Sequence, residues 1–536
     1  MKRIVILGGG FGGVYAAIEL EKRLKGRTDV ELLLVSRENY FVFQPMLPEV
    51  ISGTINLFDV VTPLRGLLKR TQLHVREVQQ IDTVARTVTC SPGFHPHPHV
   101  IAYDELVIAL GNVTDFRGMS GLPEHAFPFK NLTDALNLRN QVIRALDEAA
   151  IQPKGSRLRA ELLTFVVAGG GFSGVEVVAE LNDFVREVVK KSYPAIEVAE
   201  LKVMLLHGLE RILPEMDPKL AEFAQKILGE RGVEIRLNTR LSAASAEAAT
   251  LADGTVIPTR TLVSTVPSSP HPAIEALTTL SKTPNGKIQV EATLKAKGAD
   301  YVWALGDCAL VPIDSKDRTP RFAPPTAQHA IREAKVLAAN LIAEEKQQAL
   351  QKFAFEGLGK MGSLGRRSAV AEAFGLKLSG FIAWWMWRTV YLMKVPSFWR
   401  RLKIAVGWTL DLFLPSELVQ LRLADATGIA RQYFRSGETV FHEGDTGDRL
   451  YVIVSGAAEV VRDGSVVAKL GQGEVFGETA LLGMQQRSAA VRCAEPMNVV
   501  SVRSHEFHLL LEHLPGVRDG IDRVVKQRQD ARTLMS

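Results

Sequence analysis

Twice in 536 residues the chain runs a short apolar strand into a glycine turn and straight on into a helix-like segment. No other feature constrains its fold as tightly. Ile4-Val5-Ile6-Leu7 leads into Gly8-Gly9-Gly10-Phe11-Gly12-Gly13, followed by Val14-Tyr15-Ala16-Ala17-Ile18-Glu19-Leu20. Leu163-Thr164-Phe165-Val166-Val167-Ala168 leads into Gly169-Gly170-Gly171-Phe172-Ser173-Gly174, followed by Val175-Glu176-Val177-Val178-Ala179-Glu180-Leu181. Both turns read G-x-G-x-x-G. The first glycine (Gly8, Gly169) permits the tight turn, and the second (Gly10, Gly171) lets a pyrophosphate approach the backbone. The third (Gly13, Gly174) packs the helix against its strand. The free N–H groups and dipole of each helix N-terminus then favour phosphate. One fingerprint is weak evidence; two complete ones, about 160 residues apart, are strong. Two dinucleotides held side by side imply hydride transfer from one to the other.

The strand after each turn commonly ends in an acid that holds a ribose. Val30-Glu31-Leu32-Leu33-Leu34-Val35 ends at Ser36, with Glu38 two residues on; either side chain can serve, and Glu38 is the favoured candidate. Lys202-Val203-Met204-Leu205-Leu206 ends at His207, which does not repel a 2′-phosphate, so NADPH stays open beside NADH. The chain is long enough for three or four domains at roughly 150 residues each. Its net charge of +5 is too weak to imply nucleic acid. Three scattered cysteines, Cys90, Cys308 and Cys493, form no CxxC pair and suit a reducing compartment. The apolar run at Met1 is too short for a signal peptide, and no run of 18 apolar residues predicts a spanning helix. His95, His97 and His99 alternate with prolines and read as a loop, so no metal site is expected.

Tyr103-Asp104-Glu105-Leu106-Val107-Ile108-Ala109-Leu110-Gly111 precedes the second fingerprint, and Tyr301-Val302-Trp303-Ala304-Leu305-Gly306-Asp307 follows it. These segments resemble the ATG and GD motifs of the two-dinucleotide-binding flavoprotein reductases, with Leu110 where threonine is usual. The resemblance implies FAD on the first fingerprint and NADH on the second. Gly111 would mark the crossover between domains, and Gly306 and Asp307 would meet the FAD ribityl or pyrophosphate. Without a cysteine pair, disulfide and sulfide:quinone reductase chemistry is disfavoured. Arg37-Glu38-Asn39-Tyr40-Phe41-Val42-Phe43-Gln44-Pro45 and Pro324-Pro325-Thr326-Ala327-Gln328-His329-Ala330 are similar to segments of the type II NADH dehydrogenases. That resemblance makes Gln328 a quinone-site residue and Glu176 the glutamate beside the nicotinamide, with Glu180 one helical turn on. Arg332 stands where the family has a second glutamine, and Pro267 where it more often has glycine.

Five of the six tryptophans fall within residues 377–410, among Lys377, Arg388, Lys394, Arg400, Arg401 and Lys403, with no acid before Asp411. Rings and bases together suit a lipid headgroup layer, and Pro396 divides the stretch. A monotopic anchor is expected, where the resembling family carries its membrane helices. Beyond Leu421, short β-branched runs alternate with glycine turns, the pattern of a jelly roll. Phe476-Gly477-Glu478-Thr479-Ala480-Leu481-Leu482 and Arg487-Ser488-Ala489 resemble the phosphate-binding cassette of cyclic-nucleotide domains. Arg487 would clamp the phosphate, Glu478 would accept the ribose 2′-hydroxyl, and Ser488 would add a contact. No helix-turn-helix follows.

The expected fold class is α/β: two Rossmann-like dinucleotide-binding domains, an amphipathic helical membrane segment and an all-β jelly roll. An FAD domain over 1–119 and 299–350 would be interrupted by an NADH domain over 120–298. The membrane segment would span 351–422 and the cyclic-nucleotide domain and tail 423–536. The expected activity is FAD-dependent, non-proton-pumping NADH:quinone oxidoreduction by a peripheral protein, a homodimer, on the cytoplasmic face of the cell membrane. Membrane quinone would be the acceptor, with cAMP or a similar nucleotide as effector. Two alternatives stand: a nucleotide-sensing redox signalling flavoprotein, and a soluble NAD(P)H reductase with a protein acceptor.

Overall fold

The strand Lys2–Leu7 is buried along most of its length, as a strand must be when a parallel sheet is covered on both faces. It lies at the centre of a five-stranded parallel sheet. The order is Val302–Ala304, Glu105–Ile108, Lys2–Leu7, Val30–Ser36 and Gln72–Val75. The outermost strand, Val302–Ala304, comes from beyond the second fingerprint, so the chain leaves this sheet and later rejoins it. A second five-stranded parallel sheet forms in between. Its order is Ala126–Pro128, Thr261–Ser264, Thr164–Ala168, Lys202–Leu206 and Val233–Arg236. Each fingerprint strand sits mid-sheet, and its glycine turn opens at the carboxyl edge, where doubly wound sheets bind ligands. The helices Phe11–Arg23 and Phe172–Ser192 follow the turns directly.

The computed structural model describes residues 1–94, 97–116, 118–265, 268–314, 321–373, 375–410, 419–420, 429–481 and 486–513. Of the residues singled out in the sequence, His95, Pro267, Asp411, Leu421, Leu482 and the tail beyond His513 lie outside these.

The stretch read as 351–422 opens with a three-stranded antiparallel sheet, Gly359–Ser363, Ala369–Ala373 and Leu376–Ser379. Two helices follow, Gly380–Lys394 and Phe398–Leu410, parted at Pro396. Not all of their aromatic rings face outward. Trp385 and Trp399 are exposed, with Phe381, Ile382, Met393 and Phe398. Trp387 (1% exposed) and Trp408 are buried instead. Arg388, expected among the headgroup-facing bases, is drawn inward: its guanidinium lies over the Trp384 and Trp408 rings and 4.0 Å from Glu49. The surface loop carrying Phe58 (68% exposed) lies beside these helices, because Arg400 donates to the Phe58 carbonyl.

Residues from Ile429 onward build two four-stranded antiparallel sheets. A core of Phe434, Tyr451, Ile453, Phe476, Met497 and Val499 fills one cluster between them. This barrel touches the unit built on the second parallel sheet at the short helix Leu122–His125. There the His125 ring meets the backbone N–H and carbonyl of Tyr433, at 3.0 and 2.9 Å. Gly121, in the left-handed region at φ +73, lets Tyr433 approach.

Candidate active site

The two glycine turns are built alike, and their geometry assigns each glycine a task. A Cβ on Gly8 or Gly13 would collide with backbone, of Ala109 and Gly8 respectively. On Gly174 it would collide with the Gly169 carbonyl. Gly8 and Gly169 also adopt φ +112 and +114, a region that favours glycine. Gly10 and Gly171 differ: nothing lies within 4 Å of where a Cβ would stand. The middle glycine of each turn therefore faces open space at a helix N-terminus, the cradle a pyrophosphate needs. Ser36 and His207 close the turns from the neighbouring strands, each packed against the turn's second residue, Gly9 or Gly170. His207 Nδ1 accepts the Gly170 N–H at 3.0 Å, and burial lowers the histidine's pKa, so the neutral ring suits this bond. His207 is thus a buried turn-former. Glu38 is half-buried and pairs with Arg37 at 3.3 Å, away from the main cavity.

Between the turns lies a cavity of about 560 Å³. Phe11 and Phe172, the first residues of the two helices, line it from either side, and Glu176, Asp307 and Gln328 join them. The sequence candidates for flavin, nicotinamide and quinone chemistry thus meet in one space. Gly306, which directly precedes the cavity-lining Asp307, and Gly111 adopt φ +72 and +64. Gln328 is held in place: its amide donates to the Gly359 carbonyl at 3.1 Å and accepts from Leu358 N–H at 3.1 Å. Arg332 donates to the Gln328 carbonyl and stacks on Phe355 at 3.9 Å. Tyr391, Met386 and Lys394 of the first C-terminal helix form the far wall, beside Phe43 and Gln44.

Burial dominates the electrostatics. It pushes the Glu176 carboxyl up to about 8, against one hydrogen bond from Ser363 N–H at 3.0 Å. Asp307 is raised by burial although Lys130 and Lys287 oppose the shift, and burial likewise lowers Lys130. Glu333 is held up at about 7, and its carboxylate accepts the Gly306 N–H at 2.7 Å. Lys130 and Glu333 escaped the sequence reading. Glu333 left one signal, an acid on the Ala330, Ala334 and Leu337 face of a helix. Lys130 sits in a loop and left none. Cys308 is buried, its thiol pushed up to about 12, and it donates to the Leu305 carbonyl at 3.3 Å. Such a thiol packs and does not react.

In the barrel, Glu478 and Arg487 are both buried. Arg487 donates to the carbonyls of Gly477 and Arg449 at 2.8 and 2.9 Å and lies over the Phe441 ring at 4.1 Å. Gly477, at φ +84, leaves the arginine room, and helical backbone begins at Glu478. Ser488 is half-buried, and its carbonyl accepts from Arg462 at 2.9 Å.

Two nucleotide cradles sharing one cavity, with no thiol pair among the described residues, define a flavin- and nicotinamide-binding oxidoreductase. Comparison agrees: residues 2–334 match the pyridine nucleotide-disulphide oxidoreductase family, 358–414 the NDH2 C-terminal domain and 431–513 the cyclic nucleotide-binding domain. The chain belongs to the type II NADH:quinone oxidoreductases. It is 31% identical to the type II NADH:quinone oxidoreductase Ndh of Mycobacterium tuberculosis over 442 residues, covering 80% of this chain and 92% of that protein. It is 30% identical to the demethylphylloquinone reductase NdbB of Synechocystis sp., over 76% of this chain and 95% of that one. The fold of Plasmodium falciparum NDH2, solved in complex with NADH, superposes with a TM-score of 0.72 at 19% identity, covering 78% of this chain and 99% of that one.

Proposed function

We propose that the shared cavity is where the family's reaction, NADH + H⁺ + quinone → NAD⁺ + quinol, takes place, with FAD on the Gly8–Gly13 turn and NADH on the Gly169–Gly174 turn. The observation that carries this reading is the pair of open cradles at Gly10 and Gly171, each followed at once by a phenylalanine, Phe11 or Phe172, that lines one cavity with Glu176, Asp307 and Gln328. FAD supplies the hydride-accepting and electron-donating chemistry when bound. The chain's own groups orient and shelter it. Gly306 and Asp307 would flank the flavin, Glu38 would meet its ribose, and Gly111 would mark the domain crossover. Glu176 and Gln328 would border the nicotinamide and quinone, and the apolar wall of Phe43, Met386 and Tyr391 suits a quinone ring. The division into FAD, NADH, membrane and cyclic-nucleotide units follows the same reading.

The exposed face of Phe58, Phe381, Ile382, Trp385, Phe398 and Trp399, flanked by Arg400 and Lys403, supports a monotopic seat on the membrane. Among the described residues no helix is long and apolar enough to cross a membrane. The acceptor wall, built from one of these same helices, would open toward the lipid that holds the quinone. The barrel would bind a cyclic nucleotide through Arg487, Glu478 and Ser488. Arg487 would exchange its bonds to Gly477 and Arg449 for the phosphate.

The test is anaerobic. FAD-loaded protein, NADH and a short-chain quinone are mixed, and NADH loss is followed with quinol formation. Stoichiometric turnover is expected. Flavin bleaching without quinone reduction would overturn the acceptor assignment in favour of a protein acceptor or a sensor. Isothermal titration with cAMP and cGMP checks the barrel: binding that Arg487→Gln abolishes is expected, and no binding by the wild type would remove the effector role.

A further inference from the structure

The two nicotinamide dinucleotides differ by one phosphate, carried on the adenosine 2′-oxygen of NADPH. A dinucleotide whose pyrophosphate rests on a glycine turn lays that ribose over the end of the next strand. An acid there holds the free 2′-hydroxyl of NADH, whereas an arginine nearby accommodates the 2′-phosphate of NADPH. Beside the Gly169–Gly174 turn the next strand is Lys202–Leu206, and His207, Gly208, Leu209, Glu210 and Arg211 follow it. His207 occupies the place of the acid and faces inward. Its Nδ1 accepts the Gly170 N–H at 3.0 Å, and its Nε2 is shut off from solvent. Neither nitrogen is therefore offered to a ribose. Burial favours the uncharged ring, so this position does not repel a 2′-phosphate.

The neighbouring loop brings the opposite charge. The strand Val233–Arg236 pairs with Lys202–Leu206, and backbone bonds continue past both strand ends. The His207 N–H donates to the Arg236 carbonyl at 2.9 Å, the Thr239 N–H to the His207 carbonyl at 2.8 Å and the Asn238 N–H to the Leu209 carbonyl at 3.1 Å. Asn238 takes φ +51, a left-handed conformation that asparagine adopts more readily than most residues. The knitted loops set Arg240 against Gly208: a Cβ on Gly208 would stand 3.1 Å from Arg240 Cγ and 3.4 Å from its Nε. The Arg240 backbone is itself pinned, its carbonyl accepting the Ala252 N–H at 2.8 Å. Arg240 is exposed, and among the described residues its guanidinium makes no hydrogen bond or ion pair. Its neighbours are engaged. Arg236 pairs with Glu234 at 2.7 Å, and Arg211 donates to the Pro214 carbonyl at 3.1 Å. Asp253 faces Arg236 and accepts the Thr255 N–H at 2.9 Å. Glu210, also exposed, lies two residues past Gly208.

We propose that this chain oxidises NADPH as well as NADH, and that Arg240 takes the 2′-phosphate beside Gly208. The proposal rests on the reading that places the nicotinamide dinucleotide on the Gly169–Gly174 turn. The planar fork of an arginine matches a phosphate with two parallel hydrogen bonds, and Arg240 gives up no protein partner to make them. Gly208 has no side chain, which leaves the phosphate a path to the guanidinium. NADH lacks the phosphate, so it binds the same turn without this contact. The reaction balances as before: NADPH + H⁺ + quinone → NADP⁺ + quinol.

Anaerobic stopped flow on the full FAD-loaded chain tests this, with flavin bleaching followed against the concentration of NADH and of NADPH in turn. Wild type is expected to use NADPH with an efficiency within about tenfold of that for NADH, because no acid at position 207 repels the phosphate. Arg240→Gln is expected to lower the NADPH efficiency by about 10- to 100-fold, the worth of hydrogen bonds to a charged group. Its NADH efficiency is expected to stay at the wild-type level, which also shows that the variant is folded. A binding readout accompanies the rates: 2′,5′-ADP is expected to compete with NADH more tightly than 5′-ADP in wild type, and to lose that advantage in Arg240→Gln. Wild type that uses NADPH more than about 1000-fold less efficiently than NADH would overturn the proposal and leave the nicotinamide turn standing. An equal loss with both dinucleotides in Arg240→Gln would overturn the role of Arg240. Glu210→Gln tests the rival acid of the loop, and unchanged NADH efficiency is expected. A loss of about tenfold with NADH, the worth of one such bond, would make Glu210 the ribose holder and overturn the proposal as well. If neither dinucleotide bleaches the wild-type flavin, the nicotinamide assignment itself falls, before any variant is compared.

Discussion

At the residue scale the two glycine turns make opposite predictions for neighbouring positions. A methyl group on Gly174 has nowhere to go, because the Gly169 carbonyl and the Thr265 hydroxyl occupy its place. Gly174→Ala is expected to deform the nicotinamide turn and abolish flavin reduction by NADH, while FAD content stays normal. Gly171→Ala meets no protein atom within 4 Å and should fold normally. Its methyl group fills only the space a pyrophosphate would use, so KM for NADH is expected to rise about tenfold with Tm unchanged, a loss of about 1.4 kcal/mol in binding. Steady-state kinetics with thermal melts on both variants check the pair. Equal behaviour of the two would contradict the assigned tasks.

Glu176 permits a second residue-scale prediction, about pH. Its folded pKa, about 8, lies above its ordinary value of 4.5. Between those values the folded state holds a proton that the unfolded state releases, so this group's contribution to stability falls as pH rises across that window. Glu176→Gln removes the liability. Relative to wild type, the variant is expected to gain stability on the order of 1.4 kcal/mol per pH unit within the window. Urea melts at pH 5.5 and 7.5 read the difference, and a constant gap between the two proteins would contradict it. The glycines were legible because backbone collisions follow from a turn's shape alone. Glu176 was legible through resemblance. Its perturbation, and the roles of Lys130 and Glu333, were not, because burial of a charge depends on which elements close over it.

At the element scale the aromatic, basic stretch was legible from its composition. Which rings face out was not. Trp384, Trp385 and Trp387 crowd into one turn of the helix Gly380–Lys394, so successive rings point in different directions, and only packing against Tyr391, Arg388 and the antiparallel sheet decides which is buried. The consequences differ by position. Replacing Trp385 and Trp399 together with serine is expected to abolish flotation with anionic vesicles while leaving short-chain quinone turnover within about twofold. Trp387→Ala should instead lower stability by about 3–5 kcal/mol, the usual cost of emptying a buried aromatic site. If the double variant still floats, the membrane seat lies elsewhere.

At the scale of the whole molecule, the α/β halves and the barrel were each legible from strand and turn patterns. How the barrel meets the enzyme was not, because one histidine in a four-residue helix carries no sequence signal. That contact is short and direct. His125 bonds Tyr433 of the barrel, the strand Ala126–Pro128 follows at once, and Phe129 and Lys130 then line the cavity. A shift in the barrel's first strand would therefore reach the cavity wall within five residues. If a cyclic nucleotide and a nicotinamide dinucleotide bias the same arrangement, linkage requires that each change the other's affinity by one common factor. The expected experiment titrates wild type and His125→Ala with cyclic nucleotide, with and without saturating NAD⁺, and then reverses the order of addition. In wild type the two factors should be equal and differ from one. In His125→Ala both should fall toward one, while each ligand's affinity alone stays within about twofold. A common factor that survives the substitution would place the coupling on another contact, and a factor of one in wild type would make the barrel a passenger on the enzyme.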